Sequence, residues 1–218
     1  MSRNINCQAI TLRVNQSGES NRQAWFLTST EGIIKATVFG GPKSRLRSHV
    51  APFHEGMIWI YHNPIKDTFK VTDFDVKHFR TGIRELYERI MAANAIAETI
   101  LAFHGGGGNW SEASGLAAAV LDALDSADRD TSSRLAIYFL WHWSGILGLR
   151  HELSFASPSS SQGTGAGALS WLKKIDSLSA SEIKRVSLDS ASREEAKYFT
   201  QNILSDALGK RLSGWDDI

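Results

Sequence analysis

Cysteine is almost absent from this chain: Cys7 is the one example in 218 residues. A single thiol excludes both a disulfide framework and a thiolate zinc site within the chain. Long apolar runs are missing too. None approaches the length of a membrane span, and the start, M-S-R-N-I-N-C-Q, has no apolar core of the kind found in signal peptides. The expected setting is the cytoplasm, with no membrane contact. The seven histidines form no H-E-x-x-H and no i, i+4 pair, and His142, between Trp141 and Trp143, reads as a core residue. Gly163 to Gly167 (G-T-G-A-G) follows a serine-rich stretch rather than a strand and has no Lys-Ser/Thr, so it reads as linker rather than phosphate loop. Asp73 and Asp75 lack the further acidic partners of a metal nuclease. No catalytic constellation, cofactor or metal is expected, and the chain does not read as an enzyme.

What is present is an asymmetry of charge. The formal net charge is only +1. Residues 1–80 hold 11 Lys/Arg against 6 Asp/Glu, net +5, and residues 81–218 hold 13 against 17, net −4. Any polyanion is therefore expected at the front of the chain. Within it, Lys35 to Phe53 (K-A-T-V-F-G-G-P-K-S-R-L-R-S-H-V-A-P-F) ends a β-rich run in Gly40-Gly41-Pro42 and then places Lys43, Arg45 and Arg47 within five residues. Gly-Gly-Pro stops a strand and turns the chain, which predicts a rim loop with three cations in water. Such a loop suits contact with a phosphate backbone.

Alternation places a first, half-buried strand over Cys7–Asn15, with Ile10, Leu12 and Val14 on one side and Ala9, Thr11 and Arg13 on the other. Further strands are predicted over Gln23–Thr28, Ile33–Phe39, Met57–Tyr61 and Thr68–Phe74; Trp59 and Tyr61 share a face of the fourth and read as core packing, with base stacking as the alternative. Five short strands in about 75 residues leave no room for crossover helices, so they predict an antiparallel sheet closed into a small barrel. The period then changes. A helix is predicted from Thr81 to Phe103, a second through Leu116–Leu124, and a third, apolar nearly all round, from about Ser132 to Leu147. Gly105–Gly108 breaks the first of these, and Ser157–Gly167 reads as a low-complexity loop. Ser179-Ala180-Ser181-Glu182 and Ser192-Arg193-Glu194-Glu195 both read as capping boxes, and the last helix ends at Gly209 with Phe199, Ile203, Leu204 and Leu208 on one face. The fold class is α+β in two domains: a barrel over 1–80 and an all-α domain over 81–218.

Gly18-Glu19-Ser20, Thr28 to Gly32, Lys35, Gly40-Gly41 with the following cations, and Ala51-Pro52-Phe53 form an ordered set along the front of the chain. Phe139-Leu140, Gly148-Leu149-Arg150 and Leu208-Gly209-Lys210-Arg211-Leu212-Ser213 continue it through the helical part. This ordered set resembles the bacterial recombination-repair family RecO. It implies an OB-fold followed by helices, in a non-catalytic bacterial protein associated with the nucleoid. It further implies binding of single- and double-stranded DNA, annealing of complementary strands, and loading of RecA together with RecR. The DNA concerned is coated by single-strand-binding protein, whose C-terminal tail is an implied partner. Three departures stand out. The family's four-cysteine zinc module has no cysteine here between His151 and Gly167, and the residue after Arg150 is His151 rather than proline. The arginine before Phe139, part of the family's basic-rimmed tail pocket, is replaced by Tyr138, with Arg134 about one turn earlier. The groove residues expected are Lys35, Lys43, Arg45 and Arg47, then Arg13 and Arg22. The alternative reading is an OB-fold RNA-binding protein or a protein-assembly adaptor.

Overall fold

The computed structural model describes residues 4–41, 43–104, 108–150, 165–215 and 218. Pro42, Gly105–Gly107 and residues 151–164, which include most of the serine-rich stretch and of the cysteine-free module region, lie outside them. The chain divides into two compact units. One comprises Met1–Thr81 with Ile100–Ala118, the other Gly82–Thr99 with Ala119–Ile218.

Five strands form the first unit: β1 Asn4–Ser17, β2 Asn21–Thr28, β3 Gly32–Val38, β4 Glu55–Asn63 and β5 Thr68–His78. They close into a barrel in the order β1-β2-β3-β5-β4, and β4 returns to β1. Every pairing is antiparallel except the short parallel contact of β3 with β5. This is the expected OB-fold, with one parallel seam where an all-antiparallel sheet was predicted. A closed barrel of five strands must contain at least one parallel pair, because strand directions cannot alternate all the way round an odd number. The interior is filled by Cys7, Ala9, Ala24, Phe26, Ile34, Ala36, Ile58, Ile60, Val71 and Phe74, with Phe26 and Phe74 edge to face at 6.1 Å.

The phase of β1 differs from the simple alternation. Its ladder with β2 shifts register between Thr11 and Arg13, so Leu12 is an extra residue that reverses the pleat. Before this bulge Cys7 and Ala9 point inward and Thr11 lies opposite the interior Phe26; after it, Val14 packs against the interior. Ile10 and Leu12 are buried, yet outside the barrel interior. Between them Thr11 is bonded through both its N–H and its carbonyl to the Phe53-His54 segment. Within the same unit Trp110 lies against Gly32, whose φ of +70° and lack of Cβ permit a close approach; a Cβ there would meet the indole at 2.8 Å. In β4, Ile58 and Ile60 take the inward positions. Trp59, predicted in the core, is therefore on the outer face and 37% exposed, and Tyr61 shares its parity, half-buried.

The stretch after Gly41 is not a plain loop. Arg45–His49 forms a short helix, α1, between β3 and β4. It closes the barrel because Leu46 and Val50 pack into the interior cluster, and His49 Nδ1 bonds the Phe74 carbonyl of β5 at 2.8 Å. Gly40 makes the turn possible. Its φ is +136°, and a Cβ there would stand 2.5 Å from Ser44 Oγ.

After the barrel the helical spacing from Thr81 resolves into a 3-10 turn, Thr81–Glu85, and then α2 over Tyr87–Ala102. The helix α3 spans Trp110–Leu124, α4 Arg129–Ile146, α5 Ala166–Ile175 and α6 Ser190–Leu208. Gly165 precedes α5 as its N-cap, so Ala166 and Gly167 of the predicted linker are helical. The apolar helix α4 buries twelve of its residues and touches both α5 and α6. Ser179 and Glu182 form the predicted capping box, which opens the 3-10 turn Ala180–Arg185. The second predicted box is displaced: Asp189 caps α6 and accepts from the Ser192 N–H at 2.9 Å. An Asp three residues upstream outcompetes Ser because its carboxylate meets the helix N-terminus as a charge. On α6 the most buried line is Ala196, Thr200 and Leu204, with Phe199, Ile203 and Leu208 beside it, and Gly209 ends the helix at φ +63°.

Asp128 caps α4 in the same manner, accepting from the Thr131 N–H at 2.7 Å. That bond holds its carboxyl below the usual carboxylate range. A depressed carboxyl contributes its full stabilisation above the ordinary pKa and loses it as pH falls toward the lower folded value. Asp128→Ala is therefore expected to cost about 1 kcal/mol at neutral pH. The gap from wild type should close as pH falls below about 4. Urea denaturation followed by circular dichroism at pH 7 and pH 3 measures it, and a gap undiminished at pH 3 would refute the charged cap.

Candidate nucleic-acid interface

The outer face of β1, β2 and β3 carries two cross-strand rows set by register. Arg13 of β1 stands opposite Trp25 of β2, and Trp25 stands opposite Lys35 of β3. The next outward row runs Asn15, Gln23, Thr37 and, across the parallel seam, Lys70 of β5. Ala24 and Phe26 are wholly buried, which leaves Trp25 as the outward aromatic of Q-A-W-F-L-T. The bulge in β1 is what turns Arg13 to this face rather than inward.

Two lysines lie over aromatic rings here. Lys35 Nζ is 5.0 Å from the Trp25 ring centroid, and Lys70 Nζ is 4.9 Å from that of Phe39, which follows β3 and is 46% exposed. Both distances are within the reach of a cation–π contact. The β4–β5 side differs in sign. Trp59 stands between Asn6 and Asp73, and Met57 between Gln8 and Asp75, so carboxylates flank the exposed indole there. The basic face with two rings matches a polyanion; the acidic one does not.

The remaining cations gather around α1. Lys43 and Arg45 are exposed and Arg47 is half-buried. The sequence shows no carboxylate near them, but the fold brings Asp75 alongside. Lys77, bonded to Asp75 at 2.7 Å, holds that carboxyl below its usual range, and Arg45 and His49 add to the effect. Arg22 is half-buried on β2 and donates from Nη1 to the Arg47 carbonyl at 3.2 Å. Burial first, and then the Arg47 charge, pulls its pKa down. Its geometry is that of a brace between β2 and α1. Since Arg22 pairs with Val38, that brace joins α1 to the end of β3 from which Phe39 projects.

Lys35 and Arg13 thus meet on one face, Lys43, Arg45 and Arg47 form a second group on and before α1, and Arg22 links the two. Trp25, Phe39 and Lys70 were not legible as site residues. Trp25 needed the hairpin register that places it between two cations, and Lys70 needed the parallel seam. In the second unit Arg134 is buried, bonded to the Val186 carbonyl and to Thr131 Oγ1, and paired with Asp130. Its bonds tie α4 to the segment that ends at Val186. His142 is half-buried, with Nε2 at 3.3 Å from the Ile175 carbonyl and burial lowering its pKa. Among the described residues no cluster of three or more His, Cys, Asp or Glu is placed to hold a metal. None of the described helices is long and apolar enough to cross a membrane.

Residues 1–77 match the family model described as recombination protein O, N terminal. No curated protein matches the chain.

Proposed function

We propose that this chain, whose residues 1–77 match the recombination protein O N-terminal model, is a RecO-family protein and a non-catalytic DNA-binding protein of recombinational repair. A general role in recombination repair goes with that domain. The finer reading is that the protein binds single- and double-stranded DNA, anneals complementary single strands, and assists RecA loading with RecR. The DNA acted on would carry single-strand-binding protein, met through its C-terminal tail. The observation that carries the reading is the basic, aromatic outer face of β1–β3 continuing to α1. Cations there can follow a phosphate backbone while the rings face the bases.

Annealing needs only that two strands be held, partly neutralised, at high local concentration. No energy source enters. We expect the purified protein to accelerate annealing of labelled complementary strands without ATP, and added ATP to change nothing. No acceleration over spontaneous annealing would overturn the annealing role. Parallel titrations with DNA and RNA, with and without magnesium, separate DNA binding from an RNA-binding module, a protein adaptor and a nuclease.

A further inference from the structure

The two rings on the β2–β3 face pose a physical question, because each has one face occupied by an ammonium group. Trp25 lies under Lys35, and Phe39 lies under Lys70. A lysine over an aromatic ring in water gains little, roughly 0.5–1 kcal/mol. A phosphate offers the same ammonium a stronger partner, and a base offers the ring a larger apolar surface. Exchange of both contacts together is therefore favourable whenever a strand brings a phosphate and an unpaired base to the face at once.

We propose that Trp25 and Phe39 are stacking sites for two bases of single-stranded DNA, each held closed in the free protein by its lysine. On binding, Lys35 and Lys70 leave the rings for the backbone and the bases take their place. The proposal rests on the DNA-binding reading above and adds to it the feature that distinguishes strand forms. In a duplex the bases are stacked and paired, so they do not reach the rings, and only the lysine–phosphate part is available. The spacing agrees. Trp25 stands opposite Lys35, and Phe39 follows four residues along the chain, roughly 13 Å at the rise of an extended strand. A stacked strand advances about 3.4 Å per nucleotide, so the rings engage bases that are not neighbours. An OB domain that spans about 4–16 nucleotides covers that separation.

Stacking and charge separate experimentally, because abolishing one leaves the other. Trp25→Leu and Phe39→Leu in the full chain remove the ring and keep every cation. Each is expected to weaken binding of a base-bearing single strand by roughly 5- to 150-fold, with the slope of log K against log salt unchanged. Duplex affinity should stay within about twofold of wild type, since phosphate contacts remain. Wild type should bind an abasic strand of equal length as weakly as the double variant binds the normal strand. Trp25→Phe, which retains a ring, should recover most of the loss. The abasic comparison uses wild type only and decides the matter even where a leucine variant fails to fold. Equal wild-type affinity for abasic and base-bearing strands would overturn the stacking proposal, as would equal losses on single strand and duplex. Wild type that binds neither strand form would instead overturn the DNA-binding reading beneath it.

Discussion

Replacing Lys43, Arg45 and Arg47 together by alanine is expected to flatten the salt dependence of single-strand binding by roughly 2 in log K against log salt. Each phosphate neutralised on a single strand contributes about −0.7 to that slope. Because the electrostatic gain vanishes near 1 M, the same loss amounts to about 100-fold in affinity at 0.1 M salt. Unrelated sequences should lose alike, since phosphate contacts position a strand without reading its bases. The variant should fold. The packing of α1 is carried by Leu46 and Val50, and the carbonyl that Arg22 bonds belongs to the backbone of Arg47, which alanine retains. Arg45 lies near Asp75, but exposed ion pairs contribute only about 0–1 kcal/mol. Fluorescence anisotropy across a salt series, with circular dichroism as the folding control, measures the effect. An unchanged slope in a folded variant would leave only the β1–β3 face for the backbone.

The largest stability effect is expected at Arg80. Its side chain is almost fully buried, donating from Nη1 to the Phe53 carbonyl at 2.8 Å and from Nη2 to Glu55. A longer bond reaches the Ala118 carbonyl at 3.5 Å within the same unit. Arg80 and Phe53 both have positive φ, +45° and +70°, a conformation that non-glycine residues hold only when their surroundings enforce it. The guanidinium ties the Ala51-Pro52-Phe53 elbow to the start of β4, beside the bond from the Phe53 N–H to the Thr11 carbonyl. Arg80→Ala leaves the Glu55 carboxylate, whose side chain is 19% exposed, without its partner. The expected cost is about 3–5 kcal/mol, since an unpaired buried charge retains its desolvation penalty. Arg80→Met with Glu55→Gln should cost less than Arg80→Ala alone, because no charge is then left buried. Chemical denaturation of the three proteins measures the difference. A loss below about 1 kcal/mol in Arg80→Ala would show that the elbow holds without the ion pair.

The sequence by itself determined the class of the fold, the charge division and most element positions. Local chemistry sufficed for these: alternating apolar residues for β2, β3 and β5, helical spacing for α3 and α4, the Ser179–Glu182 box, and the glycine stop after α6. It also singled out the cations, because Lys43, Arg45 and Arg47 are close along the chain and Lys35 lies just upstream. Pairing and register belong to the tertiary structure. The bulge at Leu12 exchanged the faces of β1, which no alternation count anticipates, and so set Thr11 inside and Arg13 beside Trp25. The inward claim of Ile58 and Ile60 turned Trp59 outward, against its hydrophobicity. The parallel seam brought Lys70 to the β3 face, and the packing of Leu46 and Val50 made a helix of the predicted loop. A binding face is a property of several strands at once. Its residues are neighbours only after the barrel has closed, which is why single cations were legible and the cation–ring pairs were not.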